Sequence, residues 1–343
     1  MERRKIAYYG TLGPACCEEE ILYQMFLEGM TGIRLNLSHT GLKSCKEWIE
    51  NVKMAGKRAG ITPEFLIDLQ GPELRIGVLK DPILLKEGKE YILATEETKT
   101  GKDDILVPKD VLQVLTKGQA ILLDDGKILL EVCEMCGKTA KAVVKRGGML
   151  QSRKSIALPD RTVPLPVLTK NDLENIRCAK QFGVTAVMLP FVRSGQDILS
   201  VRRVLRETGN EHIAIFAKIE NLQGVENIEE IVKEADQIVV ARGDLGNAVP
   251  LWELPAIQKR LSDQCLKAKK PFMIVTQMLH SMTHSKVPTR AEVSDIFHAI
   301  LDGASSVMVT GETATGEYPV EVIKYLVRTG NTAMIPENLD KEG

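Results

Sequence analysis

Aromatic side chains are scarce in this chain: Phe, Trp and Tyr make up 4% of its residues. A surface that stacks nucleic-acid bases needs more of them. Charge of one sign is lacking too. The formal net charge is −1, so no global field points to nucleic acid or to an anionic membrane surface. The longest apolar runs are only strand length, which excludes a helix that spans a bilayer. The charged start Met1-Glu2-Arg3-Arg4-Lys5 leads into no apolar segment of signal-peptide length. The seven cysteines are an odd count in a large, charged chain and read as reduced thiols. Cys133 and Cys136 form a lone CxxC, and the five histidines supply no second ligand pair for zinc. These absences describe a cytoplasmic protein with neither a nucleic-acid nor a membrane partner.

What is present is apolar material in short, regular parcels. Of 343 residues, 44% are hydrophobic, ample for a large core. β-rich apolar runs fall at 6–9, 32–37, 65–68, 186–189, 213–217, 238–241, 272–275 and 307–309. Amphipathic segments lie at 17–29, 43–58, 169–182, 195–208, 224–235, 252–269, 289–303 and 317–328. Eight strands alternating with eight helices predict an α/β fold, the TIM (β/α)8 barrel. The alternative is a doubly wound open sheet, which calls for a glycine-rich dinucleotide turn after the first strand; none is present. The alternation stops over 77–153, where short β-like runs are interspersed with Gly, Lys and Asp, and Asp124-Asp125-Gly126 marks a hairpin turn. The expected domains are a barrel from 1–76 and 154–330, an inserted small all-β lid at 77–153, and a polar tail at 331–343.

The strand ends carry the polar groups. Lys218-Ile219-Glu220 and Arg242-Gly243-Asp244 each follow an apolar strand, and the C-terminal strand ends of a barrel are where its chemistry sits. Period two puts Lys218 and Glu220 on one side of their strand. A cation beside two carboxylates suits a divalent metal that keeps waters and takes substrate oxygens, and an anionic substrate; a buried ion network that only ties strand ends together is the competing reading. Gly243 lets backbone N–H groups approach a phosphate. In Arg34-Leu35-Asn36-Leu37-Ser38-His39 the polar side chains alternate with apolar ones, so Arg34, Asn36 and Ser38 face the barrel mouth or solvent. Asp68 closes the run 65–68 and Gly71-Pro72 turns the chain at once, a pattern that also fits a carboxylate capping a loop. Thr276 ends a strand with a hydroxyl. Glu312, in Thr310-Gly311-Glu312-Thr313-Ala314, reads as a solvated loop carboxylate, and Thr289 with Glu292 reads as a capping box.

Taken together these segments resemble the pyruvate kinase family, from about Lys5 to about Val327. The matching stretches are Thr11-Leu12-Gly13-Pro14, Arg34 to His39, Gly71-Pro72-Glu73-Leu74-Arg75, Lys218-Ile219-Glu220-Asn221, Ala241-Arg242-Gly243-Asp244-Leu245-Gly246, Thr276-Gln277-Met278-Leu279 and Gly311-Glu312-Thr313-Ala314, in the family's order and spacing. The β-rich insertion is similar to the family's lid, and Lys154-Ser155-Ile156-Ala157-Leu158-Pro159 to its hinge. The resemblance implies transfer of a phosphoryl group from phosphoenolpyruvate to ADP, giving pyruvate and ATP. It implies Mg²⁺ or Mn²⁺ on Glu220 and Asp244, and Lys218 stabilising the phosphoryl group in flight. Arg34 would hold the substrate phosphate. Gly243, Asp244 and Thr276 would hold the carboxylate and reacting enolate end. Asn36, Ser38, Asp68 and the Leu69 carbonyl would surround K⁺. Arg75 and Lys154, with Asn36 and His39 nearby, would contact the nucleotide. Two other activities would use the same scaffold: a Mg²⁺-dependent lyase or aldolase acting on a pyruvate enolate, and a non-catalytic sensor of phosphoenolpyruvate or nucleotide. Arg75, Lys154 and the insertion speak against the first, and the retained Lys218 and carboxylates against the second.

The chain also departs from the family's pattern. K⁺-dependent members carry Thr-Lys where Leu69-Gln70 stands, with an acid at the position of Glu73; K⁺-independent members carry Leu-Gln with a lysine at that position. With Glu73 acidic and no lysine to replace the cation, electroneutrality favours K⁺. Thr40 and Ser155 stand where the family has Gly, and His280 where it has Glu. The family's C-terminal regulatory domain has no counterpart in this sequence, so its sugar-phosphate site and subunit contacts are expected to be absent; a homodimer through the barrel stays open.

Overall fold

Strands that are apolar on both faces must be covered on both faces. In the computed structural model, which describes residues 5–335 apart from 39, 160 and 162, eight parallel strands meet that demand by closing into a barrel. They are β1 (Ala7–Leu12), β2 (Gly32–Asn36), β3 (Glu64–Asp68), β4 (Ala186–Leu189), β5 (Ala214–Ile219), β6 (Gln237–Ala241), β7 (Phe272–Val275) and β8 (Ser306–Met308). Each pairs with its sequence neighbours, and β1 closes on β8 with Ala7 opposite Ser306. That last pairing excludes the open sheet. Alternate side chains divide between two cores. Tyr9, Leu66, Met188, Phe216, Val239, Met273 and Met308 fill the barrel interior. Ile33, Leu35, Ile67, Val187, Ile215, Ile238 and Ile274 face the outer helices.

Element ends differ from the sequence pattern where tertiary contacts take over. β1 runs three residues past the expected end, because Thr11 is held by Val309 and Thr313 from the neighbouring strand end. β5 extends to Ile219, so Lys218 lies inside the strand. The expected helix at 224–235 is two short ones, Leu222–Glu226 and Ile228–Glu234, broken at Asn227, whose side-chain amide donates to the Arg193 carbonyl. Arg242–Ala248 forms a helix straight after β6 that no period announced. The last helix, Pro319–Ala333, runs into the segment expected as polar tail, because Gly330 and Ala333 continue its buried face; residues 336–343 lie outside the described ones. Among the described residues no helix is long and apolar enough to cross a membrane.

Between β3 and β4 the chain builds a second core, from Ile76 to Val163. A six-stranded sheet runs in the order Ile156–Ala157, Ala120–Leu123, Ile128–Cys136, Thr139–Arg146, Glu90–Ala94, Ile105–Leu106, and Gly148–Leu150 pairs with Ile83–Leu85. One six-residue helix, Lys109–Val114, interrupts an otherwise β-rich stretch. The Asp124–Lys127 turn is closed by the Lys127 N–H on the Asp124 carbonyl at 3.1 Å. Asp125 and Gly126 both have positive φ, 54° and 77°, the backbone of a type I′ hairpin. Ile156–Ala157 belongs to this sheet, pairing with Leu123 and Leu122, so the β-rich sheet continues past residue 153.

Candidate active site

The C-terminal ends of β2, β3, β5, β6 and β7 bring the predicted charges to one rim. Asp68, last residue of β3 and buried, is the centre. Its Oδ2 accepts from Arg34 Nη2 at 2.7 Å and Nε at 3.1 Å, and Lys218 Nζ donates to both carboxylate oxygens at 3.1 and 3.2 Å. Lys218 Nζ also stands 3.0 Å from Glu220 Oε1, so the two do share one side of the chain. Glu220 in turn is close enough to Asp244 for their charges to interact and accepts the Phe191 N–H at 2.9 Å. The result is a row from the ends of β2, β3 and β5 and the helix after β6, in which Arg34, Asp68, Lys218 and Glu220 alternate in sign and Asp244 adds a second carboxylate beside Glu220.

Burial sets the electrostatics of this row. It raises the Asp68 carboxyl, but Lys218 and Arg34 outweigh it and hold the group below the usual carboxylate range. It lowers the Lys218 ammonium, and Asp68 and Glu220 overcome that too, leaving it above its ordinary value and charged. Glu220 behaves differently. Burial pushes it up to about 7, Lys218 opposes, and the Asp244 charge adds to the rise. Asp244 is likewise raised, by burial first. Its side chain is solvent-accessible yet crowded by protein on most sides, because it projects into the cleft rather than out from the surface. Asp68 has already claimed most of the ammonium, so Glu220 and Asp244 form a pair short of positive charge. Such a pair, open on one side, fits a hard divalent cation that retains its waters. Among the described residues no group of three or more His, Cys, Asp or Glu forms a metal cage; with Asp68 engaged by Arg34 and Lys218, Glu220 and Asp244 are the carboxylates this rim leaves for a cation.

Thr276 stands just past β7 with φ +80°, a backbone that a β-branched residue adopts only under constraint. Arg242 supplies part of it: Nη2 donates to the Thr276 carbonyl at 2.7 Å while Nη1 pairs with Asp295 at 2.7 Å. A Cβ on Gly243 would press on Thr276, lying 3.0 Å from its Cγ2. Asn36 and Ser38 adjoin the row, Asn36 opposite Asp68 in the β2–β3 register, but Asn36 Oδ1 accepts from both Ser38 N and Ser38 Oγ. Leu69 is buried next to Asp68. His39 lies outside the described residues.

Arg75 and Lys154 come together through the hinge backbone, with Ile76 N donating to the Lys154 carbonyl at 2.9 Å. Both are engaged by acids: Arg75 Nη2 with Glu73 at 2.6 Å, Lys154 Nζ with Asp124 at 2.6 Å. The Glu73 charge thus has a cation beside it, which the absence of a nearby lysine in the sequence had hidden. Between the β-rich sheet and the rim lies a cleft of about 660 Å³ that Glu73, Asp125, Phe191, Glu220, Asp244 and Asn247 help to line; among the described residues Arg75 and Lys154 do not line it. Glu312 is a correction: it is 1% exposed and accepts from Thr310 N at 2.7 Å rather than facing solvent. The Thr289–Glu292 capping box is present. Sequence reasoning passed over Asp172, which is fully buried and accepts from the amides of Gln70 at 2.7 Å and Gly71 at 3.1 Å while capping its own helix through Thr169. Thr169 three residues ahead of Asp172 was the available signal.

A family model for the pyruvate kinase barrel domain matches residues 2–323. Among curated proteins, the pyruvate kinase of Geobacillus stearothermophilus is 40% identical over 326 residues, 94% of this chain and 56% of that protein. That of Thermococcus litoralis is 38% identical over 330 residues, 96% of this chain and 69% of that protein. That of Debaryomyces hansenii is 39% identical over 344 residues, 97% and 67%. The chain therefore spans between 56% and 69% of the length of these relatives.

Proposed function

Since the chain belongs to the pyruvate kinase family, we propose that it transfers the phosphoryl group of phosphoenolpyruvate to ADP, giving pyruvate and ATP. One observation carries the proposal: the row Arg34, Asp68, Lys218, Glu220, Asp244, which lines up two fixed cations and a cation-deficient carboxylate pair along one rim. An anionic phosphoryl group in flight between two oxygens needs fixed positive charge and a site for a divalent cation beside it. Arg34 holds the substrate phosphate, and Asp68 fixes the direction of its guanidinium. Lys218, kept charged by Asp68, faces the migrating phosphoryl group. Thr276 and the first-turn amides of Gly243 and Asp244, which have no acceptor inside their own helix, hold the carboxylate and enolate end. Glu220 and Asp244 are the residues for Mg²⁺ or Mn²⁺, which when bound neutralises charge on the phosphoryl and enolate oxygens.

Asn36, Ser38, Asp68 and the Leu69 carbonyl are the candidate K⁺ ligands, and Arg75 and Lys154, with Asn36 and His39, the nucleotide contacts. Nucleotide phosphates would replace Glu73 and Asp124 on the two hinge cations. The 77–153 insertion acts as a lid that excludes water from the cleft. The seven free thiols suit a reducing compartment such as the cytoplasm, and exposed Leu251 and Trp252 suit a barrel-to-barrel homodimer. The test is a coupled assay of pyruvate release from phosphoenolpyruvate and ADP. Activity is expected only with a divalent cation, and to rise with K⁺. Absence of pyruvate release under every cation condition would end the proposal, and a rate indifferent to exchange of K⁺ for a bulky organic cation would end its K⁺ part.

A further inference from the structure

Ser155 lies in the returning hinge segment, just ahead of the strand Ile156–Ala157 that joins the β-rich sheet, and its side chain reaches the tip of the Asp124–Lys127 turn. Its Oγ accepts the Asp125 N–H at 2.8 Å and donates to Asp125 Oδ1 at 2.7 Å. Its carbonyl accepts the Asp124 N–H at 3.2 Å, and its backbone bridges to Arg75 on the outgoing limb of the hinge. One residue thus touches both hinge limbs and the turn.

The turn is a costly object to hold. Asp124 and Asp125, neither of them glycine, both have left-handed backbone, φ 50° and 54°. Such a conformation persists only where neighbours over-determine it. The tip rests on the barrel rim, Gly126 facing Asn247 of the Arg242–Ala248 helix. Asp125 lines the cleft together with Glu220 and Asp244. Lys154, next to Ser155, reaches back to Asp124. A glycine at 155 would remove both hydrogen bonds that the Ser155 hydroxyl makes to Asp125.

We propose that Ser155 is a positioning residue for lid closure: its hydroxyl latches the Asp124–Lys127 turn to the hinge, so that the turn stands over the carboxylate pair before any ligand arrives. The nucleotide then meets a site whose lid edge is already placed, and the ordering it would otherwise impose is reduced. The latch is a property of this chain's hinge, while its consequence for nucleotide affinity rests on the function proposed above.

Ser155→Gly, Ser155→Ala and Ser155→Thr in the full chain separate the possibilities. In ligand-free protein, amide hydrogen exchange of a peptide covering 121–128 is expected to speed up in the Gly and Ala variants by about tenfold, and to stay near wild type in Thr, which keeps the hydroxyl. In the pyruvate-release assay, KM for ADP is expected to rise about tenfold in Gly and Ala with kcat changed less than about twofold, and Thr is expected to restore it. Unchanged exchange at 121–128 in Ser155→Gly overturns the latch. A fall in thermal stability with exchange faster everywhere, and with no split between KM and kcat, also overturns it, since that is the mark of a merely structural side chain. A wild type inactive in the assay sinks the proposed function alone, because the exchange measurement needs no substrate.

Discussion

Lys218 shows how much one side chain depends on its neighbours. An ammonium buried this far would ordinarily lose its proton, but Asp68 and Glu220 keep it charged. Lys218→Met is expected to keep binding Mg²⁺ and to lose about a hundredfold or more in rate, the loss seen when one strong electrostatic stabiliser is removed; calorimetric Mg²⁺ titration beside the coupled assay checks both halves. Thr276 makes the opposite trade. Its φ of +80° costs stability that glycine would not lose, so Thr276→Gly is expected to stabilise the fold by about 1 kcal/mol while lowering the rate. Urea unfolding that showed no gain would mean the Thr276 backbone is not strained. The types and spacing of these residues were legible in the sequence. Their assignments were less so: Asp68, read as a cation ligand or loop cap, holds Arg34 and Lys218 at once, and that could be seen only when β2, β3 and β5 were brought side by side.

Among elements, the loop after β3 is set from a distance. Gln70 and Gly71 are pinned by Asp172, a hundred positions on in the first helix after the β-rich sheet. Gly71 itself has φ +60°, and a Cβ there would meet Pro190 Cγ at 2.4 Å. Asp172→Ala removes a buried acceptor from several amides, each of which would be left unpaired, and is expected to cost about 3 kcal/mol or more. Chemical denaturation measures it, and a cost below about 1 kcal/mol would show that water replaces the carboxylate. Period and composition revealed the eight barrel strands, since buried parallel strands are apolar along their length. They did not reveal the Arg242–Ala248 helix, whose seven residues are too few to show a period, nor the break at Asn227, whose own side chain bonds to the distant Arg193 carbonyl.

For the molecule as a whole, the carboxylate pair links stability to pH. Glu220 titrates near 4.5 when exposed and near 7 in the fold, so between those values the folded state binds more protons than the unfolded one. Without divalent cation, stability is then complete below about pH 4.5 and falls as pH rises through 7. The Asp68 shift is downward and acts below that window. Thermal midpoints in a chelating buffer from pH 5 to 8 should therefore decline with pH, and Mg²⁺ should raise them most at the upper end, by binding the ionised pair. A midpoint that climbed across this range in chelator would remove the argument.

The sequence by itself determined that this chain is a barrel interrupted by a β-rich insertion, because alternation of apolar strands with amphipathic helices is a local property that survives any rearrangement in space. It also determined which charges lie at strand ends, since strand length and polarity are written along the chain. Only the tertiary structure decided which charge meets which. Asp68 and Lys218 are 150 positions apart and 3.1 Å apart in space, and burial, the quantity that drives Glu220 up and Asp68 down, does not exist until the barrel has closed around them.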